Sequence, residues 1–232
     1  MKHISLSRLG PEAQERRLLL FWPLFLLIFT YAESGFPAAH YHVMHCRLDD
    51  LIPFCAWAVI PYLLWFPFVG GMLLLALLRD RPAFRRMMGF IILTYSAALL
   101  CFFLFPTCQQ LRPLQLSGPD LLCRLTAAVY GTDTSTNVCP SIHVIGAVAV
   151  WLAARDMRTL PALLRRWLLP ALAVSICAST VLMKQHSALD VLAALMICGW
   201  GRYMVYRAPS PPRALCGHRP PSDAQGPRHT AV

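Results

Sequence analysis

The sequence predicts an all-α fold, a polytopic membrane protein of six transmembrane helices with both termini cytoplasmic. Three observations carry that prediction. Hydrophobic residues make up 57% of the 232-residue chain and charged residues only 14%, with a mean hydropathy of +0.52, which is too apolar for an ordinary soluble domain. Apolar windows near the roughly 17–25 residues that a bilayer-spanning helix needs recur at 18–32, 51–78, 87–111, 134–154 and 167–183. A sixth, 191–201, reaches spanning length if Arg202 snorkels and residues 186–190 lie inside the helix. The third observation is charge: of the 21 lysines and arginines, all but Arg47, Arg112, Arg124 and Lys184 fall on the segments that this topology puts inside. The same bias accounts for the net charge of +10 without invoking nucleic acid.

In chain order, residues 1–17 are polar and basic and read as a cytoplasmic anchor. The first apolar run is read as a span rather than a cleaved signal, because Glu33-Ser34-Gly35-Phe36 lacks a small-x-small cleavage pattern. The first outer loop carries His40, His42, His45 and Cys46, whose spacing matches no defined metal motif, so no metal is expected there. Asp49 and Asp50 follow, positioned to cap the second spanning helix. Pro61 and Pro67, with their aromatic neighbours, read as packing in that helix. The longest outer segment follows Pro106, and within it Ser117-Gly118-Pro119-Asp120 predicts a turn leading into a short amphipathic helix from Leu121. That segment would bring Arg112, and with it Arg124, toward the mouths of the later helices. Cys46, Cys108, Cys123 and Cys139 fall on the outer side, where an oxidising compartment would permit one disulfide among them. Residues 18–206 form the membrane domain, and the proline-rich 207–232 read as a disordered cytoplasmic tail.

Two polar stretches stand at the outer mouths of apolar runs: Cys139-Pro140-Ser141-Ile142-His143 and Lys184-Gln185-His186-Ser187-Ala188-Leu189-Asp190. Ionisable groups at the lip of a span are costly, so two such mouths suggest one site. His186 and Asp190 are four apart and would share a helical face, letting the carboxylate fix one imidazole nitrogen and free the other for nucleophilic attack. His143 would then act as general acid toward a departing alkoxide. Ser141, Arg112, Lys184 and the amides that open the fourth helix would hold phosphoryl oxygens.

Pro140-Ser141-Ile142-His143 and His186-x3-Asp190 resemble the second and third signatures of the lipid phosphate phosphatases of the type 2 phosphatidic acid phosphatase superfamily. Arg112-Pro113 is similar to the end of the first. The resemblance covers the third to sixth spans. It implies a phosphohistidine on His186 oriented by Asp190, proton donation by His143, phosphate held by Ser141 and Arg112, and no metal or other cofactor. Two cations of the pattern are replaced, by Phe105 and by Thr180, and Lys184 is a partial substitute without the fork of a guanidinium. The chain therefore resembles a divergent branch of a superfamily that also holds lipid phosphotransferases of the sphingomyelin-synthase type.

Three functions follow as expectations: a phosphatase acting on a lipid phosphate monoester or diphosphate, a phosphotransferase moving a phospho-headgroup onto a lipid alcohol, and a non-catalytic membrane scaffold or transporter. The expected partners are a lipid phosphate and the bilayer, with no nucleic acid, and the oligomeric state is left open. The expected location is a plasma or bacterial-type inner membrane, with the site on the non-cytoplasmic face.

Overall fold

The computed structural model describes residues 13–34, 40–116 and 120–207. The basic anchor over 1–12, the turn at 117–119 and the tail from 208 onward lie outside the described residues. The described chain is mostly helical. Its helices are α1 (Ala13–Leu19), α2 (Phe21–Ser34), α3 (Arg47–Leu51), α4 (Val59–Arg79), α5 (Arg81–Leu104), α6 (Leu121–Thr132), α7 (Ile142–Asp156), α8 (Leu169–Leu182) and α9 (Ala188–Tyr206).

Among the described residues, four helices are long and apolar enough to cross a membrane: α4 with the 3₁₀ turn Ala56–Ala58 ahead of it, α5, α8 with the π-helical turn Leu164–Leu168 ahead of it, and α9. The chain is accordingly a membrane protein. The other two apolar windows give shorter helices, α2 with 14 residues and α7 with 15. At 1.5 Å per residue these are roughly 21 and 22 Å long, short of the roughly 30 Å hydrocarbon core. The reason for α7 is local. Ser141 caps it, its side chain accepting from the Val144 amide, so residues 134–140 run as loop across the end of the bundle although the hydropathy window includes them.

Two further boundaries differ from the hydropathy reading. Helix α5 starts six residues ahead of its apolar window because Asp80 accepts from the Ala83 amide and Pro82 occupies the first turn. Arg85 and Arg86 are carried inside the helix because each is paired, with Glu15 at 2.7 Å and Asp156 at 2.6 Å. Helix α9 begins at Ala188, so His186 is not helical, and the helix reaches 19 residues by running through Arg202 to Tyr206 instead.

Helix α7 lies at the centre, packed against α4, α5, α8 and α9. Close approach is made at glycine. A Cβ on Gly146 would stand 2.6 Å from Trp65 Nε1 and 2.9 Å from the Tyr95 hydroxyl, and one on Gly201 would stand 2.5 Å from Thr94 Cγ2. Small residues let helix backbones approach where lipid supplies no hydrophobic drive for association.

The chain reversals at one end of the bundle are braided together. The strands β1 (His42–Val43) and β2 (Thr107–Cys108) pair in parallel, and Cys108 bridges to Thr136. Asn137 donates to the Ala32 carbonyl at 2.9 Å, and the Cys139 amide donates to Thr107 Oγ1 at 3.0 Å. After Asp120, which caps α6 by accepting from the Cys123 amide, that short helix completes the end. Among the described residues, Cys46, Cys108, Cys123 and Cys139 form no disulfide.

Candidate active site at the braided end of the bundle

The site is built around the turn between α8 and α9. The Lys184 amide donates to the Val181 carbonyl at 2.9 Å and the Gln185 amide to the Thr180 carbonyl at 3.0 Å, the paired bonds of a Schellman helix end. The residue that must take the left-handed conformation there is usually glycine; here it is Lys184, with φ of 56°. Its ammonium compensates by donating to the carbonyls of Asp49 at 2.6 Å and Ile52 at 2.5 Å. Tyr130 donates to the Met183 carbonyl at 2.5 Å, and the Cys55 amide to that of Leu182 at 3.0 Å. The turn is thereby gripped by three neighbouring segments, and it delivers Gln185 and His186 to the bundle end.

His186 and Asp190 meet, although not across one helical face as their spacing suggests. Ser187 is the N-cap of α9, and Asp190 reaches back in a capping box to accept from the Ser187 amide at 2.9 Å. The same Oδ2 lies 3.3 Å from His186 Nδ1, one residue before the cap. Nδ1 is therefore the nitrogen held and Nε2 the one left over. Asp49 binds this same helix start. It accepts from Ser187 Oγ at 2.5 Å and from the Ala188 amide at 2.8 Å, so it caps α9 and not the second spanning helix that follows it in sequence. Asp50 pairs instead with His45 at 2.8 Å. Burial acts to raise the Asp49 pKa, but the hydrogen bonds from Ser187, Ala188 and Cys46 outweigh it and hold the carboxyl below its ordinary range.

The second polar stretch comes to the first directly, the Ser141 amide donating to the Asp190 carbonyl at 3.3 Å. Ser141 itself is fully buried at the start of α7. The His143 ring stacks on Tyr62 at 4.4 Å between centroids, tilts against Trp65 at 4.6 Å, and stands 6.0 Å from the His186 ring. Trp65 Nε1 donates to the His143 carbonyl at 2.9 Å, fixing the backbone beneath the ring. Neither ring nitrogen of His143 has a hydrogen-bond partner among the described residues, and the residue is only 6% exposed. Buried polar atoms are normally satisfied, so two orphans on one imidazole point to a missing partner.

His143 and His186 line one cavity of about 20 Å³, with Glu33, Asp133, Thr134, Asn137 and Gln185 around it. Asp133 accepts from the Tyr62 hydroxyl and from Gln185 Nε2 at 3.1 Å. An apolar groove of about 530 Å³ between α2 and α4 meets this cavity at His143, Ile142 and Asp133, and runs past Trp65 and Val69 to Gly70 and Leu73.

The expected cations do not line the cavity. Arg112 donates to the carbonyls of Tyr130 at 3.1 Å, Asp133 at 2.6 Å and Thr134 at 2.8 Å, and lies over the Tyr130 ring at 4.6 Å. It closes the end of α6 from behind the site. Lys184 is committed to backbone carbonyls, as above. Phe105 stacks on His42 at 4.0 Å, and Thr180, fully buried, donates to the Cys177 carbonyl at 2.8 Å, so neither position is made good by another cation. Cys139 is an unsuitable nucleophile, its thiol pushed up to about 12 by burial and by the Asp190 carboxylate beside it. Among the described residues no group of three or more His, Cys, Asp or Glu is disposed to hold a metal.

The sequence named His143, His186, Asp190 and Ser141 together, and the structure brings these four to one place. Tyr62, Trp65, Asp49 and Glu33 are further members that no local motif announces. Compared with protein-family models, with curated proteins and with solved structures, the chain matches none.

Proposed function

We propose that this chain is an integral membrane lipid phosphatase that hydrolyses a phosphate monoester or diphosphate of a lipid through a phosphohistidine. The carrying observation is that His186, held by Asp190, and the unpartnered His143 line one cavity that opens onto an apolar groove. In this reading α2 and α7 join the four longer helices as spans five and six, extended by the loops at their ends. The arginine-rich end with both termini is cytoplasmic and the histidine pair faces outward, in a plasma or inner membrane.

The His186 Nε2 lone pair forms the N–P bond to the terminal phosphorus while its P–O bond to the rest of the lipid breaks, and His143 gives a ring proton to the departing oxygen, that of the lipid alkoxide for a monoester or of the lipid phosphate for a diphosphate. Water then attacks phosphorus, the P–N bond breaks, and the water proton returns to His143 as inorganic phosphate leaves. Asp190 holds Nδ1 through both steps. The amides of Ile142 and His143 at the start of α7 supply donors for phosphoryl oxygens, with Ser141 setting that helix start rather than reaching the phosphate. A cavity of about 20 Å³ holds little more than one water, so the segment 133–137 yields as the phosphoryl group enters.

Purified full-length chain in detergent, given phosphatidic acid and a prenyl diphosphate, is expected to release inorganic phosphate, unaffected by EDTA. Release that survives His186→Ala overturns the mechanism. One observation favours a phosphotransferase as second reading: Glu33 and Asp133 line the cavity while no lysine or arginine does, a charge better matched to a zwitterionic phosphodiester than to a dianionic monoester. Transfer of labelled headgroup to diacylglycerol or ceramide, without phosphate release, would establish that reading in place of the first.

A further inference from the structure

At the opposite end of the bundle, three guanidinium groups converge on a second cavity. Arg155 comes from the last turn of α7, and Arg165 and Arg166 come from the π-helical turn ahead of α8; with Trp151 and Pro170 they line a space of about 580 Å³. What sets these three apart is that they share one cavity. Arg85 and Arg86 each hold a carboxylate, Glu15 and Asp156. No carboxylate partners Arg155, Arg165 or Arg166 among the described residues, and Arg155 lies over the Trp151 ring at 5.4 Å. Three like charges around one cavity repel unless an anion is among them.

The backbone is shaped for the same purpose. In a π-helical turn donor and acceptor are five residues apart rather than four, and widened turns of this kind concentrate at functional sites; this one presents Arg165 and Arg166 side by side into the cavity. The depth is set by the neighbours. Trp167 is 70% exposed, and Leu163, Leu168 and Val174 are exposed along the same edge, an apolar surface with a tryptophan at its boundary, as at the level of lipid headgroups. An anion bound there has acyl chains beside α8.

We propose that this cavity binds the phosphate headgroup of an anionic phospholipid from the leaflet at the arginine-rich end, a site separate from the histidine pair. Arg165 and Arg166 take the phosphodiester oxygens and Arg155, backed by Trp151, closes the third side. The proposal is independent of the phosphatase reading, since its test measures binding alone.

The test is thermal unfolding and lipid retention of the full chain in neutral detergent, with phosphatidylglycerol, phosphatidylcholine or inorganic phosphate added. Phosphatidylglycerol is expected to raise the unfolding temperature and to be retained, while phosphatidylcholine and inorganic phosphate do neither. Each arginine changed to glutamine weakens phosphatidylglycerol binding about fivefold, so R165Q/R166Q loses most of the shift, whereas R158Q, in the adjacent loop outside the cavity, keeps it. R155Q, on the exposed face of α7, gives the same reading if the double variant fails to fold. Equal stabilisation by phosphatidylcholine, a full shift with inorganic phosphate alone, or wild-type binding by R155Q and R165Q/R166Q overturns the proposal.

Discussion

At the scale of single residues, the bundle end is organised by groups that serve the backbone, leaving the His143 ring and the His186 ring, which Asp190 holds by Nδ1, to line the cavity. Lys184 is the sharpest case, because its ammonium sits on two carbonyls and its backbone is left-handed. Lys184→Met keeps the volume and leaves those carbonyls unmatched, which costs about 1–3 kcal/mol and is read as a lower unfolding temperature. A phosphate ligand would behave differently, raising KM with the unfolding temperature unchanged. Asp49 has a pH signature. Its folded pKa lies below the unfolded one, so its contribution is complete above the unfolded pKa and is lost as pH falls through the folded value. Asp49→Asn therefore lowers stability at neutral pH and flattens the acid limb of the stability curve below about pH 4. For the reaction itself, His186→Ala is expected to reduce phosphate release to background and His143→Ala to lower kcat by about 10² to 10⁴-fold. A wild-type-like His143→Ala would remove the general acid from the mechanism.

At the scale of elements, α7 carries His143 and is held by close contacts along its length. Trp65 joins α4 to the His143 carbonyl and packs where Gly146 has no side chain. Gly146→Ala drives a methyl into the indole and the Tyr95 hydroxyl together, a cost of about 1–3 kcal/mol expected as a lower unfolding temperature together with weakened catalysis. Gly70 provides the contrast: a Cβ there meets nothing within 4 Å, and the residue lines the apolar groove. Gly70→Trp is expected to fold normally and to lower activity on long-chain lipid phosphates, while a short-chain soluble analogue is hydrolysed as before. Equal loss on both substrates would mean the groove does not carry the hydrocarbon chain.

At the scale of the whole molecule, the two ends of the bundle differ in chemistry. One gathers histidines and carboxylates; the other gathers arginines, among them Arg85 and Arg86 paired with acids and Arg155, Arg165 and Arg166 around a cavity. The proposed topology puts the first end outside. With native cysteines replaced, Leu114→Cys, at a fully exposed position of the braided end, is expected to react with a membrane-impermeant maleimide on intact cells. Arg158→Cys, in the exposed loop at the other end, is expected to react only after permeabilisation. The reverse pattern would turn the molecule over and place the histidines inside.

Much of the fold was legible in the sequence because it depends on quantities that sum along the chain. Hydropathy over 20 residues locates α4, α5, α8 and α9, and the pairing of Pro-Ser-x-His with His-x3-Asp singles out the two stretches that meet. Local chemistry decided otherwise where single side chains outbid the average. The caps at Asp80, Ser141 and Ser187 moved helix starts, and the Asp190 capping box put His186 outside α9 while still holding it. Only the tertiary structure decided where the cations go. Arg112 and Lys184 read as phosphate ligands in sequence, yet each closes a helix end, because a buried carbonyl without a donor is costly and these were the donors within reach. Asp49 belongs to α9, across 138 residues of chain, for the same reason. Composition and hydropathy located the four helices long and apolar enough to cross a bilayer; which polar groups remain free at the bundle end was settled by three-dimensional competition for hydrogen bonds.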